Sequence, residues 1–99
     1  MAGVKRRFLA FDLGAESGRA ILGKFDGERL ELEELHRFAN GPVQIFDHLY
    51  WDVLRLFAEM KEGLRLYAQK HGGGLDSIGV DSWGVDFGLL SADDTLLGI

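Results

Sequence analysis

Phe8-Leu9-Ala10-Phe11-Asp12-Leu13-Gly14-Ala15-Glu16-Ser17-Gly18-Arg19 decides how the chain folds. Its first four residues are a continuous apolar run without helical spacing, which predicts a strand buried on both faces. Asp12-Leu13-Gly14 ends that strand. Arg19 to Phe25 resumes an extended pattern and stops at Asp26-Gly27, a two-residue hairpin signal. Beyond it, Leu30 and Leu32 alternate with acidic residues, and the alternation slips at Glu33-Glu34 before Leu35, which predicts a bulge. Because Glu and Leu are good helix formers, a helix over Glu28 to Arg37 competes with this third strand.

Working outward, Trp51-Asp52 opens a helix in which Asp52 caps the first turn and Val53, Phe57, Met60, Leu64 and Tyr67 form an apolar stripe. Lys70 and His71 suit the negative end of its dipole, and Gly72-Gly73-Gly74 terminates it. Ile78-Gly79-Val80-Asp81 then reads as a short buried strand, and Phe87–Leu90 and Thr95–Leu97 flank the turn Ser91–Asp94 as a hairpin. The order strand, strand, strand, helix, strand, hairpin predicts an α/β fold with a mixed sheet. In it, an antiparallel three-strand meander is joined through the helix to an Ile78 strand parallel to the Phe8 strand. Asp12 and the Asp81–Gly84 turn would then emerge at one edge, where open α/β sheets bind ligands.

Composition narrows the function classes. Of 99 residues, 46% are hydrophobic and one is proline, which describes one modest ordered domain or a piece of a larger one. The lack of cysteine excludes a disulfide scaffold, a thiolate zinc site and a cysteine nucleophile, and points to the cytoplasm. Lys5-Arg6-Arg7 precedes only four apolar residues, too few for a signal peptide or a membrane span. The net charge of −5 arises wholly from Asp76, Asp81, Asp86, Asp93 and Asp94, in a segment with no Lys or Arg, and this argues against a nucleic-acid partner.

Two segments carry candidate chemistry. Asp12 to Arg19 places a carboxylate, a close-approach glycine, a hydroxyl and a guanidinium within eight residues, a set suited to an anionic phosphate and its magnesium. The alternative is a tight turn in which Gly14 and Gly18 meet steric needs and Arg19 pairs with Glu16. Neither G-x-x-x-x-G-K-[ST] nor G-x-G-x-x-G is present. An aspartic protease reading of Asp12-Leu13-Gly14-Ala15 lacks the buttressing hydroxyl at Leu13, and the long helix is foreign to that fold. Asp81-Ser82-Trp83-Gly84-Val85-Asp86 could floor a sugar pocket, with Asp81 and Asp86 taking hydroxyls and Trp83 a ring face; otherwise Trp83 is core filler and the aspartates are turn residues. His36, His48 and His71 share no metal-ligand spacing.

Together Asp12–Arg19, His36–Gly41, Trp51–Val53 and above all Asp76–Phe87 resemble, in order and across residues 7–99, the N-terminal end of the FGGY carbohydrate kinases. The resemblance implies a ribonuclease-H-like fold of the actin and hexokinase superfamily, here incomplete. Residues 1–99 would be a single partial domain from the first lobe, with the second lobe absent. It implies transfer of the ATP γ-phosphoryl group to the 1-hydroxyl of L-rhamnulose with magnesium. Gly14, Ala15, Glu16, Ser17, Gly18 and Arg19 would line the ATP phosphates, Asp12 would organise the metal, and Gly84, with Trp83, Asp81 and Asp86, would meet the ketose. Glu16 departs from the small hydroxyl residue of many relatives. The general-base aspartate and the adenine site would lie beyond residue 99, so the piece alone is expected to be inactive. The rival readings are a non-catalytic module that binds a nucleotide or a partner, and a fragment without function.

Overall fold

In a computed structural model, residues 5–85 and 87–97 are described, and they contain eight strands and one helix. The alternating residues Leu9, Phe11 and Leu13 of β1 (Arg6–Leu13) are buried on one side, while Ala10 is exposed on the other. The apolar run is therefore a strand buried on one face, because among the described residues only one layer packs on the sheet. Strand β2 (Ser17–Phe25) pairs antiparallel with β1, and β3 (Leu30–Ala39) pairs antiparallel with β2, which settles residues 30–37 as strand. The connection between them is a four-residue loop, 26–29, and not a two-residue turn. Asp26 Oδ1 accepts the N–H groups of Glu28 and Arg29 at 2.9 and 2.7 Å, which lowers its pKa, and Gly27 takes a positive φ of 101°.

The bulge falls at Leu35: Ala20 faces His36, whereas Ile21 faces Glu34. The extra residue lets Leu35 pack on the core while His36 also faces the helix. A hairpin that the sequence pattern does not announce follows, β4 (Pro42–Ile45) with β5 (His48–Trp51), turned by Phe46 at φ 55°.

Helix α1 (Val53–His71) begins where Asp52 accepts the Arg55 N–H at 3.1 Å and ends at Gly72, φ 84°. Its buried line is Leu56, Gly63 and Tyr67, with Met60 and Leu64 partly buried, so the stripe is rotated from the predicted one: Val53 and Phe57 are exposed. Gly63 permits the close approach. A Cβ there would lie 2.8 Å from Ala20 Cβ and 3.0 Å from Phe11. The core is thus Leu9, Phe11, Ala20, Leu22 and Tyr67, with Leu13, Phe38 and Leu56 grouped at the other end.

Strand β6 (Ser77–Ser82) lies parallel to β1, giving the sheet order β3-β2-β1-β6. It is exposed along its length rather than buried, because it forms the sheet edge and α1 packs over the other strands. Strands β7 (Leu89–Leu90) and β8 (Leu96–Leu97) form the predicted hairpin, closed by Ser91 N–H to Thr95 O at 2.9 Å. No described helix is long and apolar enough to cross a membrane.

Candidate functional site

Asp12 and Asp81 are register partners on the parallel strands β1 and β6, one residue before each strand ends. Register partners share a face, and since Leu13 and Phe11 turn toward α1, these two carboxylates lie on the face away from it. Arg19, opposite Asp12 on β2, donates from Nη2 to Asp12 Oδ2 at 2.5 Å, with both side chains a little over one-third exposed. Arg19 therefore pairs with Asp12, not with Glu16. The pair is accessible to solvent.

Between β1 and β2 the short connection Gly14–Glu16 is fastened at several points. Gly14 N–H donates to Ser17 O at 3.0 Å, Asn40 Nδ2 to Gly14 O at 2.7 Å, and Asn40 N–H to Glu16 O at 2.9 Å. A Cβ on Gly14 would sit 3.0 Å from Ser17 O, so the tight turn explains that glycine. Gly18 lies on the helix-facing side, where an added Cβ would fall 2.1 Å from the Phe38 ring. Ala15 and Glu16 are exposed, Ser17 half-buried. Sequence reasoning places Asn40 only within a matching segment and gives it no role. Its side chain reaches 26 residues back to a backbone carbonyl, and no local pattern announces such a contact.

On the β6 side, Trp83 is 40% exposed and tilts against Trp51, with ring centroids 5.7 Å apart. Trp51 Nε1 is buried without a partner among the described residues. Gly84 has open space where a Cβ would stand, with nothing within 4 Å, and its φ lies outside the left-handed region. Asp86 lies outside the described residues. A cavity of about 270 Å³ between α1 and the last hairpin is lined by Leu13, Val53, Phe57, Phe87 and Leu96 among others, and is apolar; it holds neither Asp12 nor Asp81.

Magnesium keeps several waters and takes one or two protein carboxylates beside substrate phosphates. Asp12 beside Asp81 fits that demand, whereas no described group of three His, Asp or Glu side chains forms a closed metal cage. His36 and His71 instead face Glu59 and Glu33, each at 3.2 Å.

The fold and edge define an α/β segment with a polar site at the carboxyl ends of two parallel strands, next to the short Gly14–Glu16 turn. No protein-family model matches the chain. Among curated proteins it is similar to rhamnulokinases: that of Bacteroides thetaiotaomicron is 48% identical over 94 residues, covering 95% of this chain and 19% of that protein. The rhamnulokinases of Mannheimia succiniciproducens (43% over 91 residues) and Oceanobacillus iheyensis (40% over 89) each match 90% of this chain and 19% of their own length. The chain thus spans about a fifth of the length of the curated relatives it matches.

Proposed function

We propose that the chain forms the phosphate- and ketose-contacting end of the first, ribonuclease-H-like lobe of a cytoplasmic sugar kinase that transfers the γ-phosphoryl group of ATP to the 1-hydroxyl of L-rhamnulose. The observation that carries this reading is the β1–β6 register, which sets Asp12 beside Asp81 in a chain similar to rhamnulokinases along nearly its whole length. Asp12 would hold magnesium or its water shell, and magnesium would supply neutralisation of phosphate charge. The Gly14–Ser17 turn would meet phosphate oxygens through the backbone N–H groups of Ala15 and Glu16 and the Ser17 hydroxyl, with Gly14 closing the turn onto Ser17 O, Arg19 adding positive charge and Gly18 seating the turn on Phe38. Asp81, Trp83, Gly84 and Asp86 would face the sugar. The base that takes the hydroxyl proton is assigned to the remainder of a rhamnulokinase-length protein. Phosphoryl transfer depends on positioning by both sides of the site, so this chain alone would retain almost none of the rate.

The test is a chimera in which this chain replaces the matched stretch of the Bacteroides thetaiotaomicron relative. ATP- and magnesium-dependent phosphorylation of L-rhamnulose by the chimera, with none by the 99-residue chain, is the expected result. An inactive but folded chimera would overturn the assignment, and turnover by the chain alone would overturn the partial-lobe reading. In the chimera, Asp12→Asn should lower kcat far more than it raises the ketose KM, because it removes charge from the metal side only. An unchanged kcat would leave Asp12 as no more than the partner of Arg19.

A further inference from the structure

The turn between β1 and β2 has an anchor outside itself. Asn40 follows the last residue of β3 and grips two carbonyls of the turn, Gly14 O through Nδ2 at 2.7 Å and Glu16 O through its backbone N–H at 2.9 Å. Its own Oδ1 accepts the Gly41 N–H at 3.0 Å, which orients the amide so that Nδ2 is the group aimed at Gly14. The anchor is held in turn from the helix: Arg55 Nη2, in the first turn of α1, donates to Ala39 O at 2.8 Å. A trans peptide is planar, with its C=O and N–H pointing in opposite directions. Fixing the Gly14 and Glu16 carbonyls toward Asn40 therefore fixes the 14–15 and 16–17 planes and turns the Ala15 and Ser17 N–H groups away from it. Among the described residues, the N–H groups of Ala15 and Glu16 have no acceptor in the chain. Successive backbone N–H groups left free in a turn make an anion-binding concavity.

We propose that Asn40 is the positioning residue of this turn: by holding the 14–15 and 16–17 peptide planes it aims the Ala15 N–H, next to the free Glu16 N–H, at the oxygens of a polyphosphate. The proposal rests on the phosphate role assigned above to Gly14–Arg19. Asn40 touches no ligand; it acts through the two peptide planes. Because its grip on Gly14 is a side-chain bond and its grip on Glu16 a backbone bond, shortening the side chain releases only the 14–15 plane.

The test follows backbone amide resonances of the 99-residue chain during titration with magnesium tripolyphosphate, comparing the parent with Asn40→Ser, which is neutral and too short to reach Gly14 O. In the parent, the Ala15, Glu16 and Ser17 amides should shift. In Asn40→Ser the apparent Kd should rise about five- to tenfold, the worth of about one hydrogen bond, with the core amides of Leu9, Phe11 and Leu22 unmoved. Equal Kd values for parent and variant would overturn the role of Asn40 while leaving the phosphate reading intact. A parent turn that does not respond would overturn both, whereas chimera activity tests the kinase reading separately. Should Asn40→Ser disturb the core amides, Asn40→Leu, which keeps the volume and loses the amide, is read by the same criterion.

Discussion

At the scale of single residues, two glycines in the candidate site have opposite reasons to be glycine. Gly18 lies under the Phe38 ring, which is buried with Leu13 and Leu56, and a Cβ there would fall 2.1 Å from Phe38 Cζ. Gly18→Ala should therefore displace the ring and cost about 1–3 kcal/mol, lowering the Tm by roughly 4–8 °C for each kcal/mol in a domain of this size. An unchanged melting temperature would show that the ring moves aside freely. Gly84 has nothing within 4 Å of an added Cβ and no left-handed φ to protect. Gly84→Ala should leave the Tm of the chain unchanged; in the chimera it should raise the L-rhamnulose KM about five- to a hundredfold, with the ATP KM steady, if its backbone meets the ketose. A steady ketose KM would remove Gly84 from the sugar side.

At the scale of elements, α1 is tied to β3 by charge as well as by packing. Glu33 on β3 accepts Lys70 Nζ at 2.5 Å and faces His71 Nε2 at 3.2 Å, and the Lys70 hydrogen bond first, then the nearby charges, lowers the Glu33 pKa from its ordinary 4.5. A carboxyl with a depressed folded-state pKa contributes stability at pH values above its ordinary one, and that contribution disappears as pH falls through the lowered value. Urea midpoints should thus decline as pH drops below about 4.5, and Glu33→Gln should flatten part of that decline. Parallel curves for parent and variant would count against the tie. The ends of α1 were legible in the sequence because Asp52 and Gly72 act locally, and the bulge before Leu35 was legible as a slip in alternation. The buried face of α1 was not. Leu56 and Gly63 form it, and counting apolar residues overlooks a glycine chosen for proximity to Ala20 and Phe11. The β4–β5 hairpin was hidden because it turns on Phe46 at φ 55°, where turn rules look for Asn or Gly. In the candidate site, the shared edge of Asp12 and Asp81 followed from strand order, whereas the Arg19–Asp12 pair needed the β1–β2 register and Asn40 required knowing that the end of β3 returns to the first turn.

At the scale of the whole molecule, the sheet is covered unevenly. Helix α1 packs on one face, and on that same face Ile78 and Val80 of β6, partners of Leu9 and Phe11, remain 51% and 57% exposed, with the outer edge of β6 unpaired in the described sheet. Edge strands are commonly protected by Lys, Pro or a bulge, yet no Lys, Arg or Pro occurs between Gly72 and Ile99. An open edge bearing β-branched side chains is a template for another strand, so the 99-residue chain should associate reversibly as its concentration rises through the micromolar to millimolar range. Sedimentation velocity across that range reads the effect directly. Val80→Lys places a charge on the exposed face without entering the buried cluster of Leu9, Phe11, Ala20, Leu22 and Tyr67. It should return the chain to a single slow species while changing the Tm little, since a half-exposed valine contributes only part of its ~1.5–3 kcal/mol burial value. If association persists in Val80→Lys, contact through the β6 face is ruled out and the exposed Leu30 and Leu32 on the opposite face become the surface to substitute.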